Sequence, residues 1–306
     1  MIENLCREIN SHFVGKEDVV ENVMICMLAG GHVLLEDVPG VGKTTLAKTI
    51  AEATDCSLGR IQFTPDTLPG DVTGFSVYNM KTGAFEYREG AVMKNLLLAD
   101  EINRTSPKTQ ASLLEAMAER QVTVDGRIYK LPDPFMVIAT QNPIEFIGTY
   151  PLPEAQLDRF MMRLSLGYPT KESEILMARK FIDGKLGESI KTICSGENIK
   201  GMRKEVAAVK INDSMLAYMQ DIIAKSRQEK RFVIGASPRA LLFLVRASQA
   251  RAYIQGRDFV KPDDVKAVAV NVLHHRIALT PEARIANEDI DRILANLVVL
   301  ANVPVG

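Results

Sequence analysis

Leu34-Leu35-Glu36-Asp37-Val38-Pro39-Gly40-Val41-Gly42-Lys43-Thr44-Thr45 is an apolar strand that runs into a glycine-rich turn, then Lys-Thr, then a helical pattern. Gly40 and Gly42 let the backbone curl tightly, so that successive N–H groups and the N-terminus of the following helix converge on a polyphosphate. Lys43 adds a mobile positive charge and Thr44 a hydroxyl ligand for Mg²⁺. The stretch therefore predicts a phosphate cradle running from Pro39 and Gly40 through Val41, Gly42, Lys43 and Thr44 to Thr45. Asp37 stands where the first glycine of such a loop is usual. The wrapping amides come from later residues, so Asp37 is expected to end the strand with its carboxylate turned outward.

A second stretch completes the chemistry. Asn95-Leu96-Leu97-Leu98-Ala99-Asp100-Glu101 is another apolar strand, ending in two carboxylates. Asp100 is placed to hold the Mg²⁺ shell, and Glu101 to orient and deprotonate a water attacking a γ-phosphate. Phe135 to Asn142 is a third buried strand with a polar end, and Asn142 can hold the attacking water or sense the γ-phosphate. No N-K-x-D run exists to read guanine, so the nucleotide expected is ATP.

The composition is that of an ordinary globular enzyme: 306 residues suggest two domains, with 46% hydrophobic and 25% charged residues. Lys+Arg 37 against Asp+Glu 38 leaves a net charge of −1, which argues against nucleic acid or an anionic membrane as an obligatory partner. Cys6, Cys26, Cys56 and Cys194 form no C-x-x-C pair and imply reduced thiols in a cytoplasmic protein. The most apolar early stretch, Val23 to Leu28, is too short for a signal or membrane segment. His274 and His275 are adjacent, so on a helix they point different ways and do not form a metal site.

In the first half, strand-like and helix-like runs alternate. A helical stripe (Val19, Val20, Val23, Met27), a strand over His32–Glu36, a helix over Thr44–Ala53 and a strand over Arg60–Phe63 predict an α/β fold: a parallel sheet with helices on both faces. Ligands in that architecture sit at the carboxyl ends of the strands, where Gly40–Thr45 and Asp100–Glu101 fall. Two hairpins interrupt the pattern, one over 75–88 around Asn79–Gly83 and one over 121–130 on Asp125-Gly126. They either cover the sheet's edge or project toward a substrate or neighbouring subunit. Ser106 and Pro107 start a helix carrying Leu113, Leu114 and Met117. From Thr170 the chain turns helical, with apolar stripes Met215-Leu216-Met219-Ile222-Ile223, Leu241-Leu244-Val245-Ser248 and Val265-Val268-Ala269-Val272 as helix-bundle cores. The expected division is a nucleotide-binding core over 1–169 and a helical lid over 170–306.

Six blocks in order resemble the AAA+ ATPases, and within them the MoxR group of the helix-2-insert clade, related to magnesium-chelatase-type ATPase subunits. They are Val14-Gly15-Lys16, Glu36 to Thr44, Asp100-Glu101-Ile102-Asn103-Arg104, Ala139 to Pro143, Glu154 to Phe160, and Ser237-Pro238-Arg239-Ala240. The resemblance implies that Val14 and Gly15 lie against the adenine, that Asn142 is the γ-phosphate sensor, that Arg239 contacts the nucleotide in cis, and that Arg159 reaches into the next subunit's site. It makes the first hairpin the insertion in helix 2. It also implies a hexameric ring, a chaperone-like remodelling role and a von Willebrand factor A domain partner. An arginine supplied by a neighbour makes catalysis conditional on assembly, an effect worth about 10³–10⁵ in rate in other phosphate-loop enzymes. A head-to-tail interface closes without propagating only in a ring. Beside the remodelling motor stand two alternatives: an assembly platform whose slow hydrolysis times a partner's release, and a nucleic-acid motor, against which the near-neutral charge argues.

Overall fold

The computed structural model describes residues 1–38, 40–142, 148–184 and 189–303. Strands β1 (Val33–Glu36), β2 (Leu58–Gln62), β3 (Leu96–Asp100), β4 (Met136–Gln141) and β5 (Met162–Leu164) form one sheet in the order β2-β3-β4-β1-β5. β2 with β3, β3 with β4, and β4 with β1 run parallel. β3 is buried along its whole length and β4 from Met136 to Thr140, which is what continuous apolar runs achieve when both faces of a sheet are covered. β2, with its mixed burial, takes the edge.

Helix α1 (Lys43–Ala53) leaves the phosphate loop, and α2 (Pro107–Glu119) follows β3. The β1-to-β2 connection passes over two strands in one direction, whereas β2 to β3 and β3 to β4 step back. Right-handed crossovers therefore put α1 and α2 on opposite faces of the sheet, as an α/β fold requires. α1 buries Leu46, Ala47, Ile50 and Ala53. α2 begins as its sequence specifies, with Pro107 at its first position and the Ser106 hydroxyl accepting from the Thr109 N–H at 3.3 Å.

Two hairpins stand beside this sheet, Gly74–Asn79 with Ala84–Glu89 and Gln121–Val124 with Arg127–Lys130. The second turns on Asp125 and Gly126, both at positive φ, the backbone that a two-residue hairpin turn demands. Tyr87 of the first stacks on Tyr129 of the second, with ring centroids 3.9 Å apart and planes 17° from parallel. Tyr78 and Phe85 form an edge-to-face pair on the first hairpin and are exposed, as is Met80 at its turn.

The chain falls into two compact units, one of Met1–Glu21, His32–Leu152 and Leu164–Lys200, the other of Asn22–Gly31, Pro153–Arg163 and Gly201–Gly306. The first contains the helix Lys171–Ile182, capped by the Thr170 hydroxyl. The second is a bundle of α3 (Asp213–Gln228), α4 (Pro238–Ile254), α5 (Pro262–Leu273) and α6 (Ile290–Leu300). Its core holds Met215, Met219, Ile222, Leu244, Val265, Val268, Val272, Ile293 and Leu294. Leu216 leaves the expected stripe and is exposed, whereas Met215 beside it is buried. Among the described residues, no helix is long and apolar enough to cross a membrane.

Candidate functional site

β3, β4 and β1 are neighbours, and their carboxyl ends place three polar segments around one cavity of about 330 Å³. Gly40, Gly42, Lys43 and Thr44 line it from the loop after β1, Asp100 and Glu101 from the end of β3, and Thr140 and Asn142 from the end of β4. Arg60 and Gln62 of the edge strand β2 close the lining.

The loop needs its glycines for different reasons. Gly40 adopts φ +87° with open space where a Cβ would stand, so backbone conformation alone selects glycine. Gly42, at φ +97°, would also bring a Cβ to 3.1 Å from the Phe13 ring. Gly42 immediately precedes α1 and no side chain caps that end, which leaves the first-turn N–H groups suited to an anion. Lys43 Nζ donates to the Asp37 carbonyl at 2.8 Å. Burial pushes the Lys43 pKa below the ordinary lysine value, and Asp37, Asp100 and Glu101 act against that shift. Val41 and Thr45 flank the lining residues, and Pro39 lies outside the described residues.

Asp37 departs from expectation. Its carboxylate is turned inward, and the residue is only 5% exposed. The Ser165 hydroxyl at 2.8 Å, the Leu166 N–H at 2.5 Å and the Gly167 N–H at 2.9 Å all donate to it. Those donors satisfy a buried charge and bind the start of the phosphate loop to the segment after β5.

The two strand-end acids are held by separate partners. Asp100 accepts from Arg60 Nε at 3.0 Å and Nη2 at 2.9 Å on one oxygen, and from the Thr140 hydroxyl at 3.1 Å on the other. That hydroxyl in turn accepts the Glu101 N–H at 2.9 Å. Glu101 adopts φ 56°, ψ 50°, a left-handed conformation that costs a non-glycine residue about 1–3 kcal/mol and concentrates at functional sites. Its carboxylate accepts from Gln62 at 2.7 Å and from Arg104 at 3.0 Å. One hard carboxylate and one hydroxyl, Asp100 and Thr44, suit a cation such as Mg²⁺, which keeps most of its waters and takes its other ligands from phosphates. The glycine loop, the bare helix end and Lys43 suit a polyphosphate.

The remaining sequence candidates are not among the residues that line the cavity. Val14 and Gly15 sit between the helices Ile2–His12 and Glu17–Ala29, outside the cavity lining. Gly15 has a packing reason of its own: at φ +79° a Cβ there would lie 2.2 Å from the Ser173 hydroxyl. Arg159 and Arg239 belong to the second unit. Arg159 follows the short helix Glu154–Leu157, and Arg239 is in the first turn of α4 with Nη1 3.4 Å from Asp158. Sequence reasoning gave Arg60, Gln62, Thr140 and Arg104 no part in holding the two acids. Arg60 and Gln62 alternate along one short strand, a signal that becomes readable only once the register sets Gln62 opposite Asp100.

Comparison with known proteins agrees with this geometry. Residues 32–162 match the ATPase family associated with various cellular activities (AAA), and residues 224–297 match the AAA lid domain. The uncharacterized protein YeaC of Bacillus subtilis is 47% identical over 97% of this chain and 93% of its own length. Chaperone MoxR1 of Mycobacterium tuberculosis is 39% identical over 97% of this chain and 80% of its own, and Protein MoxR of Methylorubrum extorquens is 30% identical over 90% and 87%. A solved structure of a candidate ATPase from Cytophaga hutchinsonii superposes with a TM-score of 0.93 at 39% identity, covering 99% of this chain and 95% of the other.

Proposed function

The chain belongs to the MoxR family of AAA ATPases, and we propose that it binds and hydrolyses ATP with Mg²⁺ in the cavity at the ends of β1, β3 and β4. The observation that carries this reading is the convergence of Gly40–Thr44, Asp100, Glu101 and Asn142 on one cavity. The loop amides and the N-terminus of α1 bind the β- and γ-phosphates, and Lys43 exchanges the Asp37 carbonyl for phosphate oxygens. Asp100 and Thr44 hold the metal, which when bound neutralises charge on the transferring phosphoryl group. Glu101, steered by Gln62 and Arg104, takes the proton of the attacking water, and Asn142 orients that water from β4.

In this reading residues 1–169 are the nucleotide-binding core and residues 170–306 the lid, Val14 and Gly15 border the adenine, and Arg239 contacts the nucleotide in cis. Arg159 completes the site of a neighbouring copy in a homo-oligomeric, hexameric ring, which makes hydrolysis report assembly. The name of the Mycobacterium tuberculosis relative supports a chaperone-like role; in this reading the role is protein remodelling, in the cytoplasm, with a von Willebrand factor A domain partner.

Phosphate release and binding of a fluorescent ATP analogue test the chemistry together. Lys43→Ala should weaken nucleotide binding, whereas Glu101→Gln should keep it and lose turnover, because only the second substitution spares the cradle. Parental turnover in Glu101→Gln would remove Glu101 from the role of base. Acceleration by added client protein separates a motor from a slow timer, whose rate stays low while its oligomeric state changes.

A further inference from the structure

Arg159 stands between two residues that a single buried side chain grips. The Arg276 side chain is 1% exposed, and its Nε donates to Asp158 Oδ1 at 2.8 Å. Its Nη2 donates to the Asp158 carbonyl at 3.2 Å and to the Phe160 carbonyl at 2.5 Å, while Nη1 donates to the carbonyls of Met161, at 3.3 Å, and Val272. The guanidinium also lies 4.9 Å from the centre of the Phe243 ring, and His275 Nε2 reaches the Phe160 carbonyl at 3.1 Å. Burial lowers the Arg276 pKa to about 10 and Asp158 opposes the shift, so the group is charged at neutral pH. From the other side, the Ser237 hydroxyl donates to Asp158 Oδ1 at 3.0 Å, and Arg239 Nη1 lies 3.4 Å from Oδ2. All of these residues belong to the second unit.

Only a planar fork with five donors can serve a carboxylate and several carbonyls at once; a lysine ammonium could not. The main-chain carbonyls of the residues on both sides of Arg159 are therefore fixed by one interior residue, remote in sequence from the turn it holds. We propose that Arg276 and Asp158 are positioning residues that set the orientation in which Arg159 is presented to a neighbouring copy. The inference rests on the reading of Arg159 as the arginine supplied in trans. Its physical basis is that a catalytic guanidinium displaced by about 1 Å loses about 10²-fold in rate, so the backbone that carries it must be held. Because Ser237 and Arg239 share the same carboxylate, the first turn of α4 belongs to this support as well.

The test compares Arg276→Lys, which keeps the buried charge but not the fork, with Arg159→Ala and Lys43→Ala. Arg276→Lys should bind mant-ADP and assemble as the parent does, yet turn over at least about 10²-fold more slowly. Mixing it with Lys43→Ala chains should restore turnover, since its intact cradle then meets a well-placed Arg159 from the other chain. Asp158→Glu, which lengthens the gripped carboxylate by one methylene, should behave alike and carries the test if Arg276→Lys does not fold. Parental turnover in the folded variant overturns the inference. So does lost turnover that mixed assemblies fail to restore, which would put the defect in the variant's own site. If Arg159→Ala alone keeps parental turnover, the trans reading of Arg159 falls and the positioning role with it. If Arg159→Ala is inactive and rescued while Arg276→Lys is parental, only the positioning role falls.

Discussion

Asp100-Glu101 at the end of β3 and Asp158-Arg159 after the short helix are both charged dipeptides at the end of a regular element, yet they are held in opposite ways. The first faces an open cavity, and its principal ion-pair partner, Arg60, has a side chain that is 54% exposed. The second is anchored to an arginine that is 1% exposed. The contrast teaches where each pair's energy goes. A pair whose arginine is half-solvated contributes little to stability, and its carboxylate, 11% exposed, faces the cavity where a metal or a proton can reach it. A buried pair specifies geometry strongly and leaves Asp158 no freedom for chemistry, so the residue next to it is the one presented.

The largest expected effects break the comparison at the reacting ends. Arg159→Ala should lower turnover by about 10³–10⁵ in an assembled preparation, and mixing with Lys43→Ala should return part of it. Normal turnover in Arg159→Ala would make it a structural arginine. Glu101→Gln should lower turnover by about 10²–10⁴ while fluorescent ATP still binds, since a general base typically supplies that factor. Both are read by phosphate release.

The next effect sharpens the comparison on stability. Asp158→Ala removes the carboxylate that compensates a buried guanidinium, and breaking a buried pair from one side costs about 3–5 kcal/mol. Thermal melting followed by circular dichroism should show a large downward shift. A shift within error would mean that the carbonyls of Phe160, Met161 and Val272 alone satisfy Arg276.

How far the sequence foretold this arrangement depends on where each function is written. The phosphate loop and the Asp100-Glu101 pair were legible because strand, turn, helix and chemical groups are contiguous there. The Asp125-Gly126 turn was legible for the same reason. Gln62 and Thr140 were not, because their roles come from parallel register, and Gln62 meets a carboxylate 39 residues away. The outward carboxylate expected of Asp37 failed on donors 128 to 130 residues downstream, two of which are backbone N–H groups that any sequence carries. Arg276 was hidden similarly. The metal question raised at the neighbouring His274 and His275 did not extend to it, and most of its partners are main-chain carbonyls.

The smallest expected effect is the most discriminating for the contrast itself. Arg60→Ala deletes an ion pair whose distances, 2.9 and 3.0 Å, approach the 2.8 Å of Arg276 Nε on Asp158, so geometry alone would rank the two together. Exposure separates them. The Arg60 side chain is 54% exposed, and Asp100, itself 11% exposed, keeps the Thr140 hydroxyl and the cavity on which it opens. The stability change should therefore stay within about 1 kcal/mol, the range of half-solvated pairs, and should shrink further at about 1 M salt, where screening acts within about 3 Å. Melting of Arg60→Ala and Asp158→Ala at low and high salt decides the matter. If Arg60→Ala falls as far as Asp158→Ala, or if its cost is indifferent to salt, then the Asp100 pair is as desolvated as the Asp158 pair, and the cavity end of β3 is built for rigidity rather than for exchange.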